Sequence, residues 1–228
     1  RLREDEYERA LDKDTAVASF MWANNETGVI FPIRKMAEIA QNHGIPFHTD
    51  AVQAAGKLDI DVQDVPVDLL SISGHKLHAP KGIGVLYVRK GTRISPLLVG
   101  GHQEENRRAG TENVPYIVGM GKACELAMAN MTDENDRVRR LRDKLENGIL
   151  ETCPGAVLNG HSKQRLPNTL NISFEFVEGE SILMFLDESG ICASSGSACT
   201  SGSLEPSHVM RAMGVPFTLA HSSIRFSL

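Results

Sequence analysis

The apolar residues change period along the chain, from short β-like runs to helical spacing and back, and this alternation narrows the fold more than any other feature. Residues 15–22 form a short run of β-formers that ends in Asn24, Asn25 and Gly28, residues that favour a turn. After Pro32, the positions Ile33, Met36, Ala37 and Ala40 recur as one face of a helix, and Gly44 stops it. Strands are predicted at residues 45–49, 67–71 and 84–88, with a short helix around residues 51–55. Strand, helix, strand, helix, strand is the order of an α/β fold with a largely parallel sheet. Residues 1–14 are rich in charge and poor in apolar residues, so no element is predicted there.

A second α/β unit follows. One helix is predicted over residues 115–129. A second, long amphipathic helix is predicted after Thr132, an N-cap residue with Asp133 and Glu134 in the first turn, on the stripe Val138, Leu141, Leu145 and Ile149. Cys153-Pro154-Gly155 ends it. Beyond it come a strand at 169–176, a helix at 181–189, a Ser/Gly loop, a helix over 204–213 closed by Gly214, and a last strand at 223–227. The boundary near residues 130–135 gives a large domain of residues 1–132 and a smaller one of residues 133–228.

Charge and cysteine usage exclude several classes. Lys plus Arg number 24 against 29 Asp plus Glu, a net charge of −5 with no run of five like charges, which argues against nucleic acid as a partner. Apolar stretches such as residues 83–88 are far shorter than the ~18 residues of a membrane helix, so no membrane association is expected. The four cysteines, Cys124, Cys153, Cys192 and Cys199, have no CxxC spacing and follow no secretory leader. They are read as reduced thiols of a cytoplasmic protein, with no metal site expected. The chain opens on Arg1 and stops on a strand-like run, and both ends read as cut from a longer protein.

In an open α/β sheet, ligands sit beyond the carboxyl ends of the strands. Asn25 follows the first predicted strand, His48-Thr49-Asp50 with Gln53 closes the second, and Ser71-Ile72-Ser73-Gly74-His75-Lys76 follows the third. Lys76 lies among small residues and cationic neighbours, a setting that suits a Schiff-base lysine, whose amine must shed its proton to act as a nucleophile. A solvated surface lysine is the alternative. Asp50 suits the ring nitrogen of pyridoxal phosphate, which needs an anion to remain an electron sink, and suits equally an N-cap over residues 51–55. Asn25 taken alone is a turn residue, and Arg225 taken alone is a surface strand arginine. Cys199 is central to Ala193-Ser194-Ser195-Gly196-Ser197-Ala198-Cys199-Thr200-Ser201-Gly202-Ser203, a segment with no large apolar anchor, of which mobility is expected. A cysteine in so hydrophilic a segment suits a reactive thiol, while Cys124, Cys153 and Cys192 are read as structural.

Four motifs together, Ser71-Ile72-Ser73-Gly74-His75-Lys76, Arg108-Ala109-Gly110-Thr111-Glu112-Asn113, Ser195-Gly196-Ser197-Ala198-Cys199 and Ser223-Ile224-Arg225-Phe226-Ser227, resemble the cysteine desulfurases, most closely the nitrogen-fixation-associated type. The resemblance runs from about Val17 to Leu228. It implies a fold-type I pyridoxal 5'-phosphate transferase related to the class V aminotransferases, a homodimer that takes sulfur from L-cysteine, leaves L-alanine, and passes the sulfur as a persulfide to an iron–sulfur scaffold protein. By matching position, Lys76 would hold the cofactor, Asp50 would pair with the ring nitrogen and Gln53 with the ring hydroxyl. Ser73 and His75 would bind the phosphate, joined by Thr111 of the partner subunit. Asn25 would lie near the ring hydroxyl of the cofactor and, with Arg225, hold the substrate carboxylate, and Cys199 would take the sulfur. The family carries a further amino-terminal segment, with a phosphate-binding turn and a ring-stacking histidine, that cannot be placed in this sequence. The alternatives are a selenocysteine lyase or another carbon–sulfur lyase of the same fold, and an inactive dimerisation or docking module.

Overall fold

The computed structural model describes residues 3–196 and 206–228. They divide into two compact units, one built from the chain up to Trp22 with Pro32–Asn130, the other from Ala23–Phe31 with the chain from Met131 onward.

The first unit contains α1 (Glu4–Ala10), β1 (Ala18–Met21), α2 (Ile33–Asn42), β2 (Phe47–Asp50), β3 (Leu69–Ser73), a 3₁₀ turn at Gly74–Leu77 and β4 (Gly84–Val88). It ends with the first part of α3 (Val114–Thr152). The sheet order is β1-β2-β3-β4, with β1, β2 and β3 parallel and β4 antiparallel to β3. The six residues between β3's turn and β4 are too few for the crossover that a parallel pair requires. The stripe foreseen on α2 is fully buried at Met36, Ala37 and Ala40. Phe47 lies in the same core and stacks on Phe20, which meets Tyr7 edge-on. Tyr7 explains α1, which the charged opening concealed: it is the helix's one buried residue, and its hydroxyl donates to the Met36 carbonyl at 3.2 Å.

Two sequence expectations change here. Residues 51–55 make a single helical turn rather than a helix, with the Ala55 N–H donating to the Ala51 carbonyl at 2.9 Å, because Gly56 enters the left-handed region at φ +72°. The break expected before Thr132 is absent, and α3 runs through it. Residues 129–133 contain neither Gly nor Pro, so nothing there interrupts the helix.

The second unit takes the rest of α3, then β5 (Ala156–Leu158), β6 (Thr169–Phe174), α4 (Gly179–Glu188), α5 (His208–Ala212), α6 (Phe217–His221) and β7 (Ile224–Ser227). Its strands pair antiparallel in the order β5-β6-β7. Leu166, Leu170, Ile172, Met210 and Ile224 are completely buried and form its core. Neither β5 nor α6 is foreseen from the sequence, since three and five residues are too short to show a period. In the described part of the 204–213 prediction, α5 begins at the N-cap Ser207, whose Oγ accepts from the Val209 N–H at 3.1 Å.

Candidate active site

The parallel strands of the first unit end together. Asp50 is in register with Met21 and Ser71, and the Ala51 N–H donates to the Ser71 carbonyl at 2.9 Å. The Asp50 carboxylate is exposed, and its Oδ1 accepts from the Val52 N–H at 2.8 Å, the local turn that replaces the expected helix cap. Gln53 lies in that turn, half-buried. Two residues upstream on the same face, His48 spans the sheet: Ser19 Oγ lies 2.7 Å from His48 Nδ1, and Ser71 Oγ 2.9 Å from His48 Nε2. Burial pushes the His48 imidazole below its ordinary value, and the Asp50 charge opposes that shift.

The 3₁₀ turn after β3 is held tightly. A Cβ on Gly74 would come within 2.6 Å of Ile83 Cγ2 and 3.0 Å of the Ile83 carbonyl oxygen, so only glycine fits. Leu77 anchors the other end in a small apolar cluster with Ala55, Met120 and Ala123. Between these buried ends His75 and Lys76 are exposed, and His78 closes the turn at φ +62°. Ser73 Oγ sits 2.7 Å from His75 Nδ1. Thr111 is exposed on the segment leading into α3. Asp50, Gln53, Ser73, His75, Lys76 and Thr111 thus belong to one compact unit.

Sequence reasoning missed Lys57. Burial depresses its amine below the ordinary lysine value, and the nearby Lys76 charge depresses it further. Gly56 packs so closely on Leu77 that a Cβ would approach Leu77 Cδ2 to 2.7 Å, which brings Lys57 alongside the turn that carries Lys76, a proximity that only the folded chain shows.

Asn25 and Arg225 meet in the other unit. Asn24 builds their turn, its Oδ1 accepting from the Glu26 N–H at 2.9 Å, the Thr27 N–H at 2.9 Å and the Thr27 hydroxyl at 3.1 Å. Gly28 completes the turn at φ +71°, where a Cβ would lie 2.8 Å from Thr169 Cβ. The Arg225 Nη1 donates to the Asn25 carbonyl at 3.0 Å. Arg225 also exchanges backbone hydrogen bonds with Ser194, of 2.6 and 3.1 Å. Glu26 was read only as part of the turn, yet it is 1% exposed and accepts from the Ser207 hydroxyl at 2.5 Å. Cys199 lies outside the described residues. Of the other cysteines, Cys124 and Cys153 are half-buried, while Cys192, expected to be structural, is exposed because it follows α4 on an open connection.

The donor set fits pyridoxal phosphate. A hydroxyl and an imidazole of the kind that binds phosphate are paired at the end of β3, an exposed carboxylate closes the adjacent strand, and an exposed lysine follows the imidazole on the same 3₁₀ turn. Among the described residues no cluster of His, Cys, Asp and Glu could hold a metal ion, and no helix is long and apolar enough to cross a membrane.

The aminotransferase class-V family model matches residues 1–228. A cysteine desulfurase of Gluconacetobacter diazotrophicus is 61% identical over 227 residues, covering all of this chain and 57% of that protein. The cysteine desulfurase NifS of Azotobacter vinelandii is 60% identical over 228 residues, with the same coverage of 100% and 57%. Among solved structures, a NifS-like protein superposes with a TM-score of 0.90 at 37% identity, over 100% of this chain and 59% of that one. The chain therefore spans a little over half the length of the relatives it matches. By the family match along its whole length, the chain belongs to the class V aminotransferases.

Proposed function

We propose that this chain carries the cofactor, substrate and sulfur-accepting residues of a pyridoxal-phosphate-dependent cysteine desulfurase. The observation that carries the reading is the meeting of Arg225 with Asn25, 200 residues apart in sequence, where a planar guanidinium is held beside a turn residue of the kind that fixes a carboxylate. Two relatives at 60% and 61% identity are named as cysteine desulfurases, which supports L-cysteine as the substrate. The large cofactor-binding part is assigned to residues 1–132 and the Cys199-bearing part to residues 133–228.

When bound, the cofactor supplies the electron sink that makes the substrate's α-proton acidic. The chain's own residues do the rest. Lys76 holds the cofactor and moves the α-proton, Asp50 faces the ring nitrogen and Gln53 the ring hydroxyl. Ser73 and His75 bind the phosphate, with Thr111 of the partner subunit joining them in the homodimer. Arg225 and Asn25 hold the substrate carboxylate. The Cys199 thiolate attacks the substrate sulfur: an S–S bond forms, the carbon–sulfur bond breaks, and its electron pair ends with a proton on carbon as L-alanine. The persulfide then passes to a thiol of an iron–sulfur scaffold protein in the cytoplasm.

Borohydride reduction of the cofactor-loaded protein, followed by peptide mapping, tests the assignment of Lys76. The cofactor is expected on the Lys76 peptide, and Lys76→Ala is expected to abolish the adduct. Recovery on Lys57, the depressed amine nearest in charge, would move the cofactor-holding role there.

A further inference from the structure

The second unit contains a buried acid that the sulfur-transfer reading does not use. Glu26 is 1% exposed, and its neighbours on the turn are already assigned: Asn24 builds the turn and Asn25 meets Arg225. Its carboxylate reaches both described ends of the segment that contains Cys199. On the amino-terminal side, a Cβ on Gly196 would lie 3.3 Å from Glu26 Oε2, so the Gly196 backbone passes close to the carboxylate. On the carboxy-terminal side, the Ser207 hydroxyl donates to the same Oε2 at 2.5 Å, across 181 residues of sequence. The amino-terminal end is tied once more where Ser194 pairs with Arg225. One carboxylate oxygen thus bonds one stem and lies close to the other, and one turn carries both that oxygen and the carbonyl that holds Arg225.

We propose that Glu26 is a positioning residue that fixes both stems of the Cys199 segment to the turn holding the substrate-carboxylate arginine. The proposal rests on the sulfur-transfer role assigned to Cys199. The physical case is the cost of the arrangement. A carboxylate this deeply buried is unfavourable unless it is well hydrogen-bonded, and Ser207 is its side-chain donor among the described residues. A hydroxyl-to-carboxylate bond of 2.5 Å is among the short, charge-assisted kind. Gly196, at φ +70°, adopts a backbone conformation that side chains rarely take, and a Cβ there would crowd Glu26 Oε2.

Ser207 also caps α5, so the test must separate the cap from the tie. The readout is the rate of iodoacetamide alkylation of Cys199 in this chain, resolved by peptide mass and normalised to exposed Cys192. Glu26→Ala and Ser207→Ala are each expected to raise the Cys199 rate about tenfold, the size of one lost charge-assisted bond, and the double variant to go no further. Ser207→Asp keeps a cap acceptor but sets a carboxylate against Glu26, and it is expected to behave like Ser207→Ala. Adding Glu26→Gln to Ser207→Asp restores one donor and one acceptor, and the native rate should return. Unchanged alkylation in Ser207→Asp, additive effects in the double variant, or no rescue by Glu26→Gln would overturn the proposal. Alkylation requires no turnover, so these results stand apart from the sulfur-transfer reading, which fails separately if Cys199→Ser still desulfurates cysteine.

Discussion

His48 shows how much of this site depends on polar residues placed inside a sheet. It bonds hydroxyls on both neighbouring strands, and its burial favours the neutral ring. The folded pKa lies below the ordinary 6.5, so the unfolded chain takes up the proton first as pH falls. Stability from this residue is complete above about pH 6.5 and is lost as pH falls from there through the depressed folded value. Thermal midpoints measured from pH 7.5 down to pH 5 should therefore fall more steeply for the native chain than for His48→Gln, and Asp50→Asn should extend the loss to lower pH by removing the opposing charge. A parallel slope in His48→Gln would show that other groups carry the acid sensitivity. The motif Ser71–Lys76 let Lys76 and His75 be proposed from sequence because their residue types suit the proposed chemistry. Glu26 and Lys57 were not legible. A buried acid and a depressed amine are defined by neighbours far along the chain, and neither Asn24-Asn25-Glu26-Thr27-Gly28 nor Gly56-Lys57 carries a local sign of them.

Elements follow the same division. The stripe on α2 was readable because ten residues contain nearly three turns of period, whereas α1 rests on Tyr7 alone and β5 has three residues. Helix α3 was read as two helices on the strength of Thr132 as a cap, but capping residues also occur inside helices when nothing breaks the backbone. What fixes its second half is polar. The Arg142 Nη1 donates to the Leu166 carbonyl at 2.7 Å, and one turn on, Glu146 pairs with Arg165, both nearly buried. Glu146→Ala should cost about 3–5 kcal/mol by leaving the Arg165 charge without its carboxylate. The control is Glu134→Ala, which removes the exposed pair with Arg137 and should leave the urea midpoint where it was. Equal effects at the two sites would mean that the Arg165 pair is not held out of water. The 3₁₀ turn makes a second prediction at this scale. Gly74→Ala cannot fit without moving the Ile83 backbone, so the turn must shift His75 and Lys76, and cofactor binding measured by equilibrium dialysis should weaken by roughly tenfold or more while the helix content by circular dichroism is retained. Native cofactor affinity in Gly74→Ala would show that the turn's geometry is not what places those side chains.

At the scale of the whole molecule, the α/β order was readable, and the packing of residues 23–31 with the second unit was not. Residues 23–31 follow β1 directly, and a boundary drawn from composition leaves them with it. Yet Asn171 Nδ2 donates to the Glu26 carbonyl and the Leu166 N–H to the Gly28 carbonyl, bonds formed with segments more than 130 residues away. That connection is what gives Asn25 its place beside Arg225, and with it the reading of the chain as a sulfur-transfer enzyme. The most direct test of that reading is a single exposure of the cofactor-loaded protein to L-cysteine, with peptide mass analysis before any reductant is added. Cys199 should carry one additional sulfur atom in step with the release of one L-alanine, and Cys199→Ser should form neither product at more than a small fraction of the native rate. Alanine and free sulfide released at the native rate by Cys199→Ser would contradict the account and leave direct elimination in its place.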